Sequence, residues 1–313
     1  MTKKITKAVD LSAAPTAANW PPKSLTKPSD PHFKWARVCM FDLHGVVFDW
    51  EAAFSRFVGK HYGFTFDSTT RQYYDIGRDP TTPISPKQFG EAFQAFARRG
   101  VDGYGELQPY AGIIEQMELI AAAGIQVVIC TYTPGANDVR PDGSATFQSG
   151  IARLATQELI AKHLGHIVTP QNIIYSHTGA KKYVMLESRI PVIVEDKAAT
   201  AVDVAESALG AILIPHPYND VKFPNVLRLE NSNQLADAVI SLFEAIDDNG
   251  AQTTMPGLQS LTNQGKIAWL VNTGTLVVPL TKATYSNPAL PKPPQLYSHN
   301  DQTNQWFQGQ ETP

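Results

Sequence analysis

The sequence predicts an α/β fold, a parallel sheet covered by helices on both faces, with a small helical segment inserted after the first strand. Three observations carry that expectation. Short apolar runs alternate with longer helix-like stretches through the middle of the chain, the pattern of repeated strand–helix units. Several of those runs stop at a residue able to do chemistry, at the strand ends where open α/β sheets bind ligands. Between the first two apolar runs lies a long interval, dense in aromatic residues, that reads as helices and turns.

Taken in order, a strand is predicted over 37–42, where Val38-Cys39-Met40-Phe41 stops at Asp42 and Gly45 lets the chain turn away. The interval 50–108 reads as helices over 51–62, 68–74 and 86–99, joined by turns. Most of its aromatics, Phe54, Phe57, Phe89, Phe93 and Phe96 among them, are expected to form a small core of the insert's own. Further strands are predicted at 125–131, 172–175, 191–195, 211–214 and 226–229, and helices at 111–123, 145–163, 180–188, 198–209 and 232–247. Asn231-Ser232-Asn233 supplies capping residues for the last helix.

The ends of the chain differ from this middle. Five of the 23 prolines fall in residues 1–33 and seven in 251–313. The first segment reads as an extended arm. The second is rich in Gln, Asn, Thr and Pro, and residues 266–270 and 275–280 flank Asn272-Thr273-Gly274 as a candidate hairpin. The expected organisation is therefore an arm over 1–33, a core formed by 34–49 and 109–248, an insert over 50–108, and an extension over 249–313. Both tails are expected to be dispensable for the core fold; they could be disordered, wrap the core, or be where a protein partner or self-association acts.

Composition excludes several classes of function. Of 313 residues, 43% are hydrophobic and 18% charged, with a formal net charge of −3. That fits a globular protein and gives no footprint for extended nucleic acid or an anionic membrane. No apolar run approaches the roughly 20 residues of a membrane span, and no apolar stretch follows Met1-Thr2-Lys3-Lys4. The two cysteines, Cys39 and Cys130, fall in predicted core strands and are expected to be buried thiols, in keeping with a cytoplasmic location.

The candidate site is assembled from strand ends. Asp42 closes the first strand, Thr131 the second, and Glu195-Asp196 the fourth, while Lys181-Lys182 opens the helix before that strand. Each has a plain structural alternative: Asp42 and Thr131 as strand-end turn residues, Glu195-Asp196 as an acidic helix N-terminus. In this order the four stretches resemble the motifs of the haloacid dehalogenase (HAD) superfamily, over residues 36 to about 245. The resemblance implies a Rossmann-like core, a helical cap over the site, Mg²⁺ as cofactor, and a phosphatase reaction on a small phosphorylated substrate. It makes Asp42 the nucleophile, Thr131 a donor to a phosphoryl oxygen, and Asp42, Asp196 and the backbone carbonyl of His44 the metal ligands. Glu195 would orient from behind. Of the two lysines only one can reach the site; the family pattern favours Lys182, leaving Lys181 as a solvated lysine.

His44 departs from the pattern, which has aspartate as the acid/base at this place. Imidazole can move protons near neutrality, but a neighbouring Mg²⁺ opposes its charged form. Leu107-Gln108-Pro109-Tyr110-Ala111-Gly112 and His216-Pro217-Tyr218-Asn219 further resemble the 5′(3′)-deoxyribonucleotidase-like branch, which implies a nucleoside monophosphate as substrate. Two functions stay open: an Mg²⁺-dependent phosphatase, or a catalytically weak or inactive protein of this fold serving a binding or assembly role through its tails.

Overall fold

The computed structural model describes residues 20, 25, 34–133, 149–176, 180–247, 297–300 and 305–308. Six strands form one wholly parallel sheet: β1 (Val38–Phe41), β2 (Gln126–Thr131), β3 (Ile173–Tyr175), β4 (Val192–Glu195), β5 (Gly210–Leu213) and β6 (Val226–Arg228). Their order across the sheet is β3-β2-β1-β4-β5-β6. The predicted strands are thus all present, shifted by a residue at some ends.

The helices are α1 (Trp50–Tyr62), α2 (Pro86–Ala97), α3 (Ile113–Ala122), α4 (Ser149–Leu164), α5 (Lys181–Ser188), α6 (Ala198–Glu206) and α7 (Leu235–Asp247). Connections run outward from β1 in one direction and from β4 in the other. With crossovers of one hand, their helices fall on opposite faces of the sheet. Accordingly α3 packs with α7, and α5 with α6. The four residues of β1, like those of β4 and β5, are all buried, as continuous apolar strands covered on both sides must be.

This strand order reverses between β1 and β4, so the connections leaving their carboxyl ends part in opposite directions and open a crevice there. Asp42 leaves β1 and Glu195-Asp196 leave β4 at that point, with the Asp42 amide donating to the Val194 carbonyl at 2.9 Å. The topology therefore places the carboxylates together before any side-chain chemistry is considered.

Between β1 and β2 the insert contributes α1, α2 and several short 3₁₀ turns. Asp49 caps α1 through its side chain, 2.9 Å from the Ala52 amide, and Ser85 with Gln88 forms a capping box on α2. Phe54 and Phe96 are almost wholly buried. Their rings meet edge to face at 5.7 Å, and Trp50 stacks on Phe54 at 4.6 Å, both arrangements that suit the ring quadrupoles. The helix predicted over 68–74 does not form. Only a 3₁₀ turn, Ser68–Thr70, is present, and the backbone is extended by Arg71 (φ −64°, ψ 141°). Asp67 accepts from both the amide and the hydroxyl of Thr69, a local bond that competes with helix propagation.

At the N-terminal side, Leu25 is fully buried and Trp20 packs against the core; both lie over Gly210 of β5. These two residues of the segment therefore pack on the sheet. The candidate hairpin around Asn272-Thr273-Gly274 lies outside the described residues. A separate antiparallel pair, β7 (Tyr297–Asn300) and β8 (Gln305–Gln308), stands in the C-terminal extension. Cys39 and Cys130 are buried free thiols, as expected.

Candidate functional site

A cavity of about 270 Å³ opens where the insert faces the carboxyl ends of β1 and β4. Asp42, His44, Lys181, Asp196 and Lys197 line it from the core, and Trp50, Arg71, Tyr74, Phe89, Phe93 and Tyr104 from the insert. One side is charged and the other largely aromatic.

At its floor, Asp42, Glu195 and Asp196 each offer a carboxylate oxygen within 4.8 Å of the other two, and all three are buried. Lys181, which has no exposed surface, reaches into this group, 2.9 Å from Oδ1 of Asp42 and 2.7 Å from Oε2 of Glu195. This corrects the expected choice of lysine: Lys182 points away and pairs with Asp203 on α6, part-exposed. The reason is helical phase. Lys181, Val184, Met185 and Ser188 form the buried stripe of α5, and Lys182 lies about a hundred degrees off it.

With all groups ionised, three carboxylates face one ammonium, a formal excess of two negative charges in a buried place that a cation or protons must relieve. Burial acts first on Lys181, Glu195 and Asp196. It opposes charge on Lys181, but Asp42 and Glu195 more than offset it and hold the lysine well above its ordinary range. The carboxyls of Glu195 and Asp196 are pushed up, to about 8 and about 7, by burial and then by their acidic neighbours, with Lys181 pulling both down. The ion pair alone would depress Glu195. Burial, helped by the neighbouring carboxylates, decides the direction, and without a cation Glu195 and Asp196 bind protons more tightly than free carboxylates do.

The residues present fit a hard divalent cation. Oδ1 of Asp196 is buried with no hydrogen-bond partner, an expensive state for a carboxylate oxygen unless a cation satisfies it. The donors are oxygen atoms of the kind Mg²⁺ prefers, and a charge of +2 matches the excess. Oε1 of Glu195 accepts from the Lys197 amide at 3.3 Å and its other oxygen holds Lys181, which leaves Asp42 and Asp196 as the oxygen donors. Gly45 makes room: its φ is +81°, and a β-carbon there would collide with Oδ2 of Asp196. Only a residue without a β-carbon meets both conditions without strain.

His44 lines the cavity beside Asp42. Burial first, then Lys181, brings its imidazole down to about 4 against the opposing pull of Asp42, so it is neutral at physiological pH. Its Nδ1 lies 3.4 Å from the hydroxyl of Thr131, and its Nε2 is buried without a partner. Thr131 is wholly buried and is not among the residues lining the cavity. The hydroxyl expected to meet a phosphoryl oxygen instead faces the histidine, across a distance at the long limit for a hydrogen bond.

Several lining residues carried no sequence signal of their own. Arg71 is buried in the insert, ion-paired with Glu51, and donates to the carbonyls of Tyr73 (2.6 Å) and Tyr74; its guanidinium lies over the Tyr218 ring, 4.6 Å from the centroid. Lys197 sits with its ammonium 4.8 Å from the Tyr74 ring. The segment 216–219, noted in the sequence without a role, closes the site from the core side. Asn219 donates to the carbonyls of Asp196 (2.8 Å) and Ile214 (2.7 Å), and accepts from the His216 amide (2.9 Å) and Arg228 (3.1 Å). Nε2 of His216 donates to the Gly45 carbonyl at 2.7 Å. A charged residue in an aromatic insert is visible in sequence; its partners, far along the chain, are not.

No family model and no curated protein matches the chain. Solved structures similar to it include a HAD hydrolase of family IA, variant 3, from Entamoeba histolytica (11% identity, 66% of this chain and 99% of that one, TM-score 0.41). A haloacid dehalogenase-like hydrolase from Streptococcus pneumoniae shows 14% identity over 64% of this chain and 97% of that one, with a TM-score of 0.42. CbbY from Rhodobacter sphaeroides, in complex with phosphate, shows 16% over 64% and 96%, with a TM-score of 0.38. Likeness at this level carries no argument about chemistry, which has to come from the site itself.

Proposed function

We propose that this chain is a HAD-type phosphatase that uses Mg²⁺ and hydrolyses a small phosphate ester, a nucleoside monophosphate by preference. The observation that carries the reading is the buried group of Asp42, Asp196, Glu195 and Lys181, with two negative charges in excess and one carboxylate oxygen of Asp196 unsatisfied. Bound there by Asp42, Asp196 and the His44 carbonyl, Mg²⁺ would offset the repulsion between the carboxylate and the phosphate.

The residues then divide the work. Asp42 attacks phosphorus, the ester P–O bond breaks, and an aspartyl-phosphate forms; attack by water returns the carboxylate and releases inorganic phosphate. Lys181 holds Asp42 in place and supplies positive charge beside the phosphoryl group, the part the resemblance had given to Lys182. Neutral His44 can accept a proton from the attacking water in the second step; it has no imidazolium proton to give in the first, so the leaving oxygen takes its proton from solvent water. The aromatic wall of Trp50, Phe89 and Phe93 suits a planar base, which favours a nucleotide over a bare sugar phosphate.

A panel of nucleoside monophosphates and sugar phosphates, assayed on the full chain with and without Mg²⁺, tests this. Turnover is expected to need the metal and to be lost in Asp42→Asn, whose amide cannot form the acyl-phosphate. Turnover retained by that variant sinks the reading.

A second reading, a weak or inactive protein of this fold acting through its tails, is favoured by the His44–Thr131 contact. His44→Asp separates the two. General acids contribute on the order of 10²- to 10⁴-fold, so a restored acid would raise turnover of esters with poor leaving groups well above background and change nitrophenyl phosphate little. A large loss on both substrates would instead make His44 the working base.

A further inference from the structure

We infer that Tyr218 is a positioning residue for Asp196 and that Arg71 of the insert keeps it there, so that metal affinity depends on the insert being seated. The inference rests on the metal site proposed above and goes beyond it, since it ties that site to a residue of the insert that no ligand role requires.

Tyr218 donates its hydroxyl to Oδ2 of Asp196 at 2.9 Å. The other oxygen, Oδ1, is the one with no partner. One oxygen pinned by a donor and the other left open is how an outer hydrogen bond orients a ligating carboxylate, fixing its rotamer before the cation arrives. Tyr218 itself is not among the residues lining the cavity, which marks it as a support rather than a substrate contact.

The ring is held from two parts of the fold. From the core, His216 stacks on it, with centroids 5.0 Å apart and planes within 8°, and His216 is fixed in turn to the Gly45 carbonyl at 2.7 Å. From the insert, the Arg71 guanidinium lies 4.6 Å from the ring centroid, and Tyr74 meets the ring edge-on at 5.7 Å. Arg71 is itself immobilised by Glu51 at the start of α1 and by the carbonyls of Tyr73 and Tyr74. A continuous set of contacts therefore runs from α1 through Arg71 and Tyr218 to Asp196. An insert that lifted away would take the guanidinium from the ring and loosen the hydroxyl that sets the carboxylate.

The test is titration of the full chain with Mg²⁺ by calorimetry, beside thermal melting of the metal-free protein. Tyr218→Phe keeps the ring and removes the hydroxyl; it should weaken Mg²⁺ binding by about 10- to 100-fold, the usual effect of losing an outer hydrogen bond to a ligand, while metal-free melting stays close to wild type. Arg71→Met combined with Glu51→Gln removes the guanidinium together with its closest carboxylate, while Asp79, 3.9 Å from Nε of Arg71, keeps the amides of Gln72, Tyr73 and Thr81 as donors. It should also weaken binding, and adding Tyr218→Phe to it should cost little more, because both act through one group. Should that pair fold poorly, Tyr74→Leu, at an exposed position, should lower the affinity in the same direction. Tyr218→Phe binding Mg²⁺ as tightly as wild type overturns the positioning role. Wild-type affinity in the insert variants, or effects that simply multiply, overturns the part given to Arg71. Absence of Mg²⁺ binding by the wild-type chain, or binding unchanged in Asp196→Ala, removes the proposed metal site and this inference with it.

Discussion

Lys181 and Lys182 differ by one position and by almost everything physical. The first is fully buried between Asp42 and Glu195; the second shares a part-exposed ion pair with Asp203. Removing Lys181 leaves two carboxylates buried beside Asp196 with no cation, so Lys181→Met is expected to destabilise the metal-free protein by about 3–5 kcal/mol, the usual cost of breaking a buried pair from one side. Lys182→Met should cost only about 0–1 kcal/mol. Urea unfolding of the two variants checks this, and equal costs would mean that Lys181 is not the lysine of the site. Residues 181, 184, 185 and 188 form the i, i+3, i+4, i+7 stripe that α5 buries, but two of them are Lys and Ser, and the apolar residues of the helix are the unbroken run Tyr183 to Leu186. The sequence therefore carries no apolar period that separates Lys181 from Lys182; the packing of the helix decides it. The Thr131–His44 contact was equally hidden, since it joins residues 87 positions apart.

At the scale of elements, the sheet and its helices were legible because the strands are short, largely apolar runs separated by longer stretches that suit helices. The loops that build the site were less so. The segment 68–74 has the composition of a weak helix. What prevents one is the Asp67 side chain together with the capture of Arg71 by Glu51, a distant partner in the preceding helix. The turn after β1 is the exception, where one residue type announces the geometry. Gly45 combines a φ of +81° with a close approach to Asp196, so Gly45→Ala meets both a strained backbone and a collision with Oδ2. The expected cost is at least the roughly 1 kcal/mol of placing alanine at positive φ. The more telling outcome is a loss of Mg²⁺ affinity larger than the loss of stability, because the collision falls on a ligand. Calorimetry beside melting separates the two effects; a variant that melts lower yet binds Mg²⁺ as well as wild type would place Asp196 outside the metal site.

Two expectations concern the molecule as a whole. Leu25 is buried and Trp20 packs beside it over Gly210, so deleting residues 1–33 strips apolar surface from β5 rather than trimming a free arm. The shortened chain should still unfold cooperatively but at lower denaturant, and Leu25→Ala alone should reproduce about 2–5 kcal/mol of the loss; an unchanged midpoint would restore the view of the arm as dispensable. The second expectation follows from the charge excess at the site. Glu195 and Asp196 are raised to about 8 and about 7, above the ordinary carboxylate range near about 4. Between about pH 4 and 8 the folded, metal-free protein therefore holds protons that the unfolded chain has released, and this cluster's contribution to stability falls as pH rises. His44, lowered to about 4, acts the other way between about pH 4 and 6.5, so absolute melting temperatures mix two opposite slopes. The shift produced by Mg²⁺ isolates the cluster, because the cation competes with those protons. That shift should be small near pH 5, grow as the pH rises through 7, and level off above about 8. In Asp196→Asn both the shift and its pH dependence should collapse. A shift of equal size at pH 5 and pH 8 would show that the cation binds elsewhere, and the buried carboxylates would then need another explanation for the charge they carry.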